Sequence, residues 1–233
     1  MTAPPRQEVL SVFLRDDYSF DNYVSGANAS AIHGVKQWVN KEGDWFLYLC
    51  GQEGSGCSHL LQAACHDREA KQQQAIYLPL AELDQLSPEV LEGLENVGFV
   101  CVDDLDNIAG NKVWEEALFH LYNRLLDTGG RLLVAASRQP SEIGFSIADL
   151  QSRLNSAVRY TLQSANDEDK KQILKLRAQK RGFVLGDEVL QYIIGRANRQ
   201  TGALIEVLER IDKSSLESKR KVTVPFVRSV MGW

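Results

Sequence analysis

The sequence contains no long apolar segment. No stretch of its 233 residues approaches the ~18 consecutive apolar residues that a membrane-spanning helix needs. Its first residues, MTAPPRQEVLSVFL, also lack the basic start and apolar core of a secretory signal. We therefore expect a cytoplasmic protein with no membrane association.

Cysteine is scarce, and the spacing of the cysteines matches no common metal-binding pattern. The four cysteines, Cys50, Cys57, Cys65 and Cys101, include no CxxC pair. This pattern argues against both a zinc site and a disulfide scaffold. We expect reduced thiols.

Charge is distributed unevenly along a chain of ordinary globular composition, with 24% charged and 44% hydrophobic residues. Residues 1–164 contain 12 basic and 22 acidic side chains, whereas residues 165–233 contain 14 basic and 9 acidic ones. Such a change of sign often accompanies a domain boundary. The basic excess is modest for a dedicated nucleic-acid-binding protein, so we expect little direct DNA binding.

Five short apolar runs, several of them nearly continuous, predict strands that are covered on both faces of a parallel sheet. They are residues 45–50, 75–80, 97–102, 131–136 and 158–162. Helical patterns at 58–73 and 113–128 lie between them, so the sequence predicts an α/β domain with crossover helices.

Strand patterns stop after about residue 163, and only helical patterns follow, at 166–180, 186–197, 202–215 and 224–230. We therefore predict three parts: a flexible tail at 1–15, an α/β base domain at 16–164 and a small helical lid domain at 165–233.

The most informative segment is GQEGSGCS, which follows the first predicted strand and opens a helix. It matches the phosphate-loop pattern GxxxxGK[ST] except that Cys57 replaces the lysine. Its nucleotide-binding candidates are Gly51, Glu53, Gly54, Ser55, Gly56, Cys57 and Ser58. The alternative is a simple glycine-rich turn, which this strand–loop–helix context makes the weaker interpretation.

Cys57 lacks the positive charge that draws the β- and γ-phosphates together. Backbone amides alone can still bind a diphosphate, so we expect weak or absent intrinsic ATPase activity. A run ending in Asp103 and Asp104 resembles a Walker B strand, in which Asp103 and Ser58 would hold Mg²⁺ and Asp104 would orient water.

With these motifs, the chain resembles AAA+ proteins, and among them the DnaA-related family that includes Hda-type regulators. The resemblance extends from about residue 14 to the end of the sequence. It rests on residues 20–28, on the SHLLQA segment at 58–63, on 148–154, on 167–170 and on 225–227. It implies a five-stranded AAA+ base and a lid, without the DNA-binding domain of DnaA.

The resemblance also implies individual roles. Arg153 matches an arginine finger that acts in trans on nucleotide held by a neighbouring subunit, and Ser137 occupies the sensor 1 position. Arg199 matches sensor 2, with Arg196 as an alternative. Tyr23, Val24 and His59 would lie beside the nucleotide, and we expect His59 to have a structural role, packing beside the loop.

Near the start of the chain, Gln7, Leu10 and Phe13 form a QxxLxxF pattern similar to peptides that bind sliding clamps. Glu8 departs from this pattern, and a short tail with a few apolar residues is the alternative interpretation.

These features predict a regulator that binds ADP or another nucleoside diphosphate. With the DNA-loaded clamp, it would stimulate hydrolysis of DnaA-bound ATP and prevent re-initiation of replication. Self-association is also expected of AAA+ surfaces. Two alternatives remain: a self-sufficient ATPase for DNA remodelling or loading, and an interaction module whose loop binds nothing.

Overall fold

A computed structural model describes residues 14, 15, 17–85 and 87–233 of the chain. The chain divides into two compact units, Met1–Ser164 and Ala165–Trp233. Each unit has its own buried apolar core.

The first unit is built on a five-stranded sheet in which all paired strands are parallel. The strands are β1 (Phe46–Cys50), β2 (Ile76–Pro79), β3 (Phe99–Asp103), β4 (Arg131–Ala136) and β5 (Val158–Thr161). They lie side by side in the order β2-β3-β4-β1-β5. This confirms the predicted α/β fold, and it places the carboxyl ends of β1, β3 and β4 next to one another.

The third strand begins two residues later than predicted. Val97 closes a short 3-10 helix at Leu94–Asn96, and Gly98 has a φ of 77°. A left-handed residue interrupts an extended backbone, so the strand starts at Phe99. At its other end the strand includes Asp103.

The α-helices described in the first unit are α1 (Ala29–Val39), α2 (Cys57–Ala70), α3 (Lys112–Thr128), α4 (Pro140–Ile143) and α5 (Ala148–Asn155). Short 3-10 helices make up much of the connecting chain, at Phe20–Asn22, Gly26–Asn28, Leu80–Gln85, Pro88–Leu91, Leu94–Asn96 and Leu105–Ile108.

Helices cover both faces of the sheet, and alternate strand residues enter two different cores. Tyr48 of β1 packs in one core with Leu121 of α3. Leu47 and Leu49 pack in the other core with Leu60 of α2. Burial on both faces explains why the strand sequences are nearly continuous apolar runs.

The second unit is helical: α6 (Asp167–Lys180), α7 (Asp187–Arg196), α8 (Thr201–Ser218) and α9 (Val224–Met231). Asn166 and Asp169 form a reciprocal capping box at the start of α6, with hydrogen bonds of 2.9 and 3.1 Å. Its core includes Leu190 of α7 and Leu208 of α8, both fully buried.

Throughout the described ranges, every helix is too short or too polar to cross a bilayer.

Candidate functional site

The loop between β1 and α2 contains glycines that other residues could not replace without strain. Gly54 and Gly56 have φ values of 79° and 96°. A Cβ on Gly56 would also lie 2.7 Å from the hydroxyl oxygen of Tyr23. The loop therefore depends on glycine at position 56 for both its backbone conformation and its contact with Tyr23.

Ser55 supports this loop from the inside, with only 5% of its surface exposed. Its N–H donates to the Gln52 carbonyl at 3.0 Å, and its own carbonyl accepts from the Tyr23 hydroxyl at 3.2 Å. A Cβ on Gly51 would collide with the Ser55 side chain. Packing beneath the loop thus fixes its shape.

The first turn of α2 provides backbone donors at the end of the loop. In an α-helix the first N–H groups have no acceptor within the helix, and here they belong to Cys57, Ser58 and His59. Together with the positive end of the helix dipole, such groups suit phosphate oxygens.

Cys57 contributes no charge to this helix start. Burial raises the pKa of its thiol to about 12, and this effect outweighs the hydrogen bond between the Ser55 and Cys57 side chains, whose oxygen and sulfur atoms lie 3.5 Å apart. The thiol is therefore neutral at physiological pH, and any phosphate bound here would depend on amide dipoles and a metal ion.

Asp103 lies at the end of β3, with 2% of its surface exposed. One carboxylate oxygen accepts from the Tyr77 hydroxyl at 2.7 Å, and the other accepts from the Asp104 N–H at 3.0 Å. The Ser58 hydroxyl also donates to it. Burial raises the pKa of Asp103 despite these donors. The two predicted Mg²⁺ ligands, Ser58 and Asp103, therefore lie in contact.

The side-chain oxygens of Ser58 and Asp103 fit a magnesium ion, because Mg²⁺ prefers hard oxygen ligands and retains water or phosphate oxygens in addition to one or two protein groups. Across the residues that the structure describes, no cluster of three or more His, Cys, Asp or Glu side chains is arranged to hold an ion. An ion at Ser58 and Asp103 would thus take its remaining ligands from nucleotide and water.

Asp104 is half-buried and adopts a left-handed φ of 55°. Burial, together with the charges of Asp103, Asp106 and Glu82, raises its pKa to about 6. The carboxyl end of β3 is therefore strongly acidic, which favours a bound cation.

Asp106 was missed by sequence reasoning, although it is the third acidic residue in DDLD. Its carboxylate accepts from the Ser137 backbone N–H at 2.6 Å and from the Ser137 hydroxyl at 3.0 Å. The side-chain amide of Gln52 donates to the Ser137 carbonyl at 3.3 Å. Ser137, the predicted sensor 1 residue, is thereby tied both to the segment after β3 and to the phosphate loop.

Asn28 connects the segment before α1 to the end of the first unit. Its amide group exchanges hydrogen bonds of 2.9 and 2.8 Å with the backbone of Gln163 and donates to the Tyr23 hydroxyl at 3.2 Å. Tyr23 thus joins Asn28 to the phosphate loop, and Val24, half-buried, follows it directly. The motif that suggested the resemblance included Asn28, but its bonding role required the structure.

His59 holds the same segment against α2. Its ring stacks on Tyr18 with centroids 4.6 Å apart and meets the Tyr23 ring edge-on at 5.1 Å. Its Nε2 lies 2.8 Å from the Ser19 carbonyl oxygen. These contacts describe a structural role in packing the residues around Tyr23.

Two predicted site residues lie apart from these contacts. Glu53 is exposed on the phosphate loop. Arg153 is exposed in the last turn of α5, where its guanidinium lies 5.7 Å from the centre of the Tyr122 ring. Within the described residues Arg153 forms no ion pair, so its charge is accessible.

In the second unit, Arg199 is exposed and forms an ion pair of 3.2 Å with Asp167. Arg196 is exposed at the end of α7, 5.8 Å from the Tyr192 ring. Both remain candidates for sensor 2. The predicted clamp-binding residues Gln7, Leu10 and Phe13 lie outside the described residues.

Two family models match the chain and together cover most of it. The model of the bacterial DnaA ATPase domain matches residues 14–164. The model of the Hda lid domain matches residues 167–231.

Solved structures with the same fold include domain III of the replication initiation protein DnaA from Thermotoga maritima. It has a TM-score of 0.79 and 21% identity, covering 94% of this chain and 97% of that one. AMPPCP-bound DnaA from Aquifex aeolicus has a TM-score of 0.69 and 22% identity, with coverage of 89% and 69%. The Holliday junction branch migration motor RuvB of Thermotoga maritima has a TM-score of 0.68 and 17% identity, with coverage of 92% and 71%. At these identities the similarity establishes an AAA+ fold.

Proposed function

Because this chain belongs to the family of the bacterial DnaA ATPase domain and its lid matches that of Hda, we propose that it regulates DnaA in replication initiation. In this proposal it binds a nucleoside diphosphate in the bacterial cytoplasm. With the DNA-loaded sliding clamp, it then stimulates hydrolysis of the ATP held by DnaA, which returns the initiator to its inactive state.

The main support for this proposal is a phosphate loop that contains no positively charged side chain. Gly56 allows the left-handed turn of the loop, and the Ser58 hydroxyl contacts Asp103, whereas the buried thiol of Cys57 is neutral. Amide donors, together with a Mg²⁺ ion at Ser58 and Asp103, would hold a diphosphate. Without a lysine, however, the charge that develops on the γ-phosphate during hydrolysis is poorly stabilised. The intrinsic ATPase activity of this protein should therefore be weak.

Relatives support nucleotide binding, since DnaA from Aquifex aeolicus was solved with AMPPCP bound. We propose ADP as the ligand of this chain, with other nucleoside diphosphates not distinguished by the residues present. Ser58 and Asp103 would hold the accompanying Mg²⁺, and Arg199 or Arg196 would act as sensor 2.

Arg153 is the residue that would act on DnaA. An arginine finger needs a guanidinium that is exposed and not neutralised by its own chain, because it must reach phosphate on a neighbouring subunit. The side chain of Arg153 is exposed at the end of α5. Recruitment to the clamp would come from Gln7, Leu10 and Phe13, which provide one polar and two apolar contacts.

The test measures phosphate release from ATP-bound DnaA in the presence of the DNA-loaded clamp and this protein. Arg153→Ala should reduce the stimulation by about 10³-fold, as loss of an arginine finger does. Arg159→Ala is the matched control, because Arg159 is also exposed and lies outside the proposed finger helix. If Arg153→Ala stimulated DnaA as well as the unmodified protein, the proposed mechanism would be wrong.

The contact between Ser58 and Asp103 favours one other candidate, a self-sufficient AAA+ ATPase. Such an enzyme would release phosphate without DnaA, and Asp103→Asn would abolish that release because it removes a metal ligand. Rapid hydrolysis by the purified chain with this sensitivity would favour the enzyme over the regulator.

A further inference from the structure

Glu115, in the first turn of α3, is a carboxylate with no exposed surface. A buried charge is costly unless hydrogen bonds replace its hydration. One of its oxygens accepts from the N–H groups of Gly110 and Ser146, at 2.7 and 3.1 Å. The other accepts from the Ile147 N–H at 2.9 Å. Three backbone donors therefore converge on one side chain.

These donors come from two segments that are distant in sequence. Gly110 follows the 3-10 helix Leu105–Ile108, which contains Asp106, the partner of Ser137. Ser146 and Ile147 immediately precede α5, and Ile147 is its N-cap residue. Glu115 thus fixes the start of α5 to the segment that follows β3.

The other end of α5 is also held by α3, through Tyr122. Tyr122 lies seven positions after Glu115, which places both on one face of the helix. The Tyr122 hydroxyl lies 3.3 Å from the Ser156 hydroxyl oxygen, and Ser156 donates to the Arg153 carbonyl at 2.7 Å. The buried Tyr122 ring lies 5.7 Å from the Arg153 guanidinium.

We propose that Glu115 is a positioning residue for Arg153, acting with Tyr122 to set the orientation of α5. This inference rests on the proposed function, in which Arg153 acts on nucleotide bound to DnaA. A charge supplied in trans must be placed accurately, since a displacement of about 1 Å can reduce a rate by about a hundredfold. The hydrogen bonds of Glu115 provide that placement without contacting nucleotide.

Glu115→Gln tests this role with little change of shape. A glutamine has one acceptor oxygen and one donor NH₂ group, so it cannot accept from all three N–H groups. The maximal stimulated rate of DnaA-bound ATP hydrolysis should fall about tenfold or more. The concentration that gives half-maximal stimulation should stay unchanged. Glu116→Gln, at the exposed neighbouring position, should match the unmodified protein in both quantities.

A double-mutant cycle separates positioning from general damage. In an Arg153→Ala background, Glu115→Gln should cause no further loss, because there is no guanidinium left to position. An equal loss in both backgrounds would overturn the inference. Tyr122→Phe removes only the hydroxyl, and it provides a milder variant that should reduce the stimulated rate in the same Arg153-dependent manner.

Hydrogen exchange gives a readout that is independent of DnaA. Glu115→Gln should accelerate amide exchange at residues 146–150, whereas Glu116→Gln and Arg153→Ala should not. If Arg153→Ala abolished stimulation while Glu115→Gln changed neither exchange nor rate, the positioning role would be refuted and the proposed function would stand. Full stimulation by Arg153→Ala would refute the proposed function itself, whatever the exchange data.

Discussion

At the scale of single residues, burial determines the charge of the groups around the phosphate loop. Cys57 keeps its proton, since burial raises the pKa of its thiol to about 12. A helix start would normally lower a thiol pKa, so desolvation dominates here. Asp103 and Asp104 are affected in the same direction: burial raises the pKa of both carboxyl groups, and at Asp104 the charges of neighbouring carboxylates add to this effect.

The stability of the metal-free protein should depend on Asp104 in a defined pH range. Its pKa rises from 3.8 to about 6 on folding, so the folded state favours the protonated form. The stability that protonation provides is fully present below about pH 4 and is lost as the pH rises through about 6. Asp104→Asn is neutral at every pH, and asparagine tolerates the left-handed φ of 55° at this position.

We therefore expect Asp104→Asn to raise the free energy of unfolding at pH 7.5. The expected gain is roughly 1 kcal/mol, after allowance for the partial exposure of the side chain. Urea unfolding in EDTA without nucleotide measures this difference. The same pair of proteins at pH 4 is the control, where the two should unfold alike, and a gain at pH 4 as large as that at pH 7.5 would contradict the assignment.

At the scale of elements, the sequence predicts the strands well because both faces of the sheet are covered. It does not reveal α1, in which Gly34 weakens the helical pattern. A Cβ at Gly34 would collide with the Tyr160 ring, so the glycine permits close packing of α1 on β5. Helix α5 is also hidden, since only eight residues, Ala148–Asn155, form it.

Some residues of the candidate site belong to motifs of neighbouring residues, whereas others act through contacts between distant parts of the chain. The phosphate loop and Asp103 are local motifs, so their residues are identifiable from spacing alone. Asp106 bonds to a residue 31 positions away along the chain, and Asn28 bonds to one 135 positions away. One partner of Glu115 lies 32 positions away from it. Contacts of this kind depend on the completed sheet, which is why single-sequence patterns miss them.

The phosphate loop should tolerate no side chain at its last glycine. Gly56→Ala introduces a Cβ at a φ of 96° and 2.7 Å from the Tyr23 hydroxyl oxygen. Gly144→Ala is the control, because Gly144 has a φ of 84° but no neighbour within 4 Å of a Cβ. Left-handed strain alone costs about 1–2 kcal/mol, which we expect for the control.

Gly56→Ala should cost more than Gly144→Ala in the free energy of unfolding, measured by urea titration, because Tyr23 must also move. It should in addition weaken ADP binding, whereas Gly144→Ala should leave ADP binding unchanged. Equal costs for the two variants would mean that Tyr23 is not packed against the loop in solution.

At the scale of the whole molecule, the two units carry opposite charge. Residues 1–164 contain 12 basic and 22 acidic side chains, and residues 165–233 contain 14 and 9. The acidic unit repels DNA phosphates, so the isolated protein should bind duplex DNA no more tightly than ~10⁻⁶ M at physiological salt, the range of non-specific contacts. Fluorescence anisotropy of a labelled duplex checks this, and nanomolar binding would instead indicate a dedicated DNA site.

Nucleotide binding should appear as stabilisation of the whole chain. A ligand that binds only the folded state at 100 times its Kd adds about 2.7 kcal/mol. We therefore expect ADP with Mg²⁺ to raise the Tm of the unmodified protein. Cys57→Ser, which is similar in size and neutral, should show the same increase, because the thiol contributes no charge to the loop.

Cys57→Lys should change the preference between nucleotides. An ammonium at this position would contact the β- and γ-phosphates, and one charge-assisted hydrogen bond contributes about 1.5–3 kcal/mol. ATP affinity should therefore increase at least about tenfold relative to ADP affinity, as measured by calorimetry. If ADP stabilised neither the unmodified protein nor Cys57→Ser, while Cys57→Lys bound both nucleotides, the amides of the loop would be insufficient without a cation. The chain would then act as a DnaA-related interaction module rather than as a nucleotide-dependent regulator.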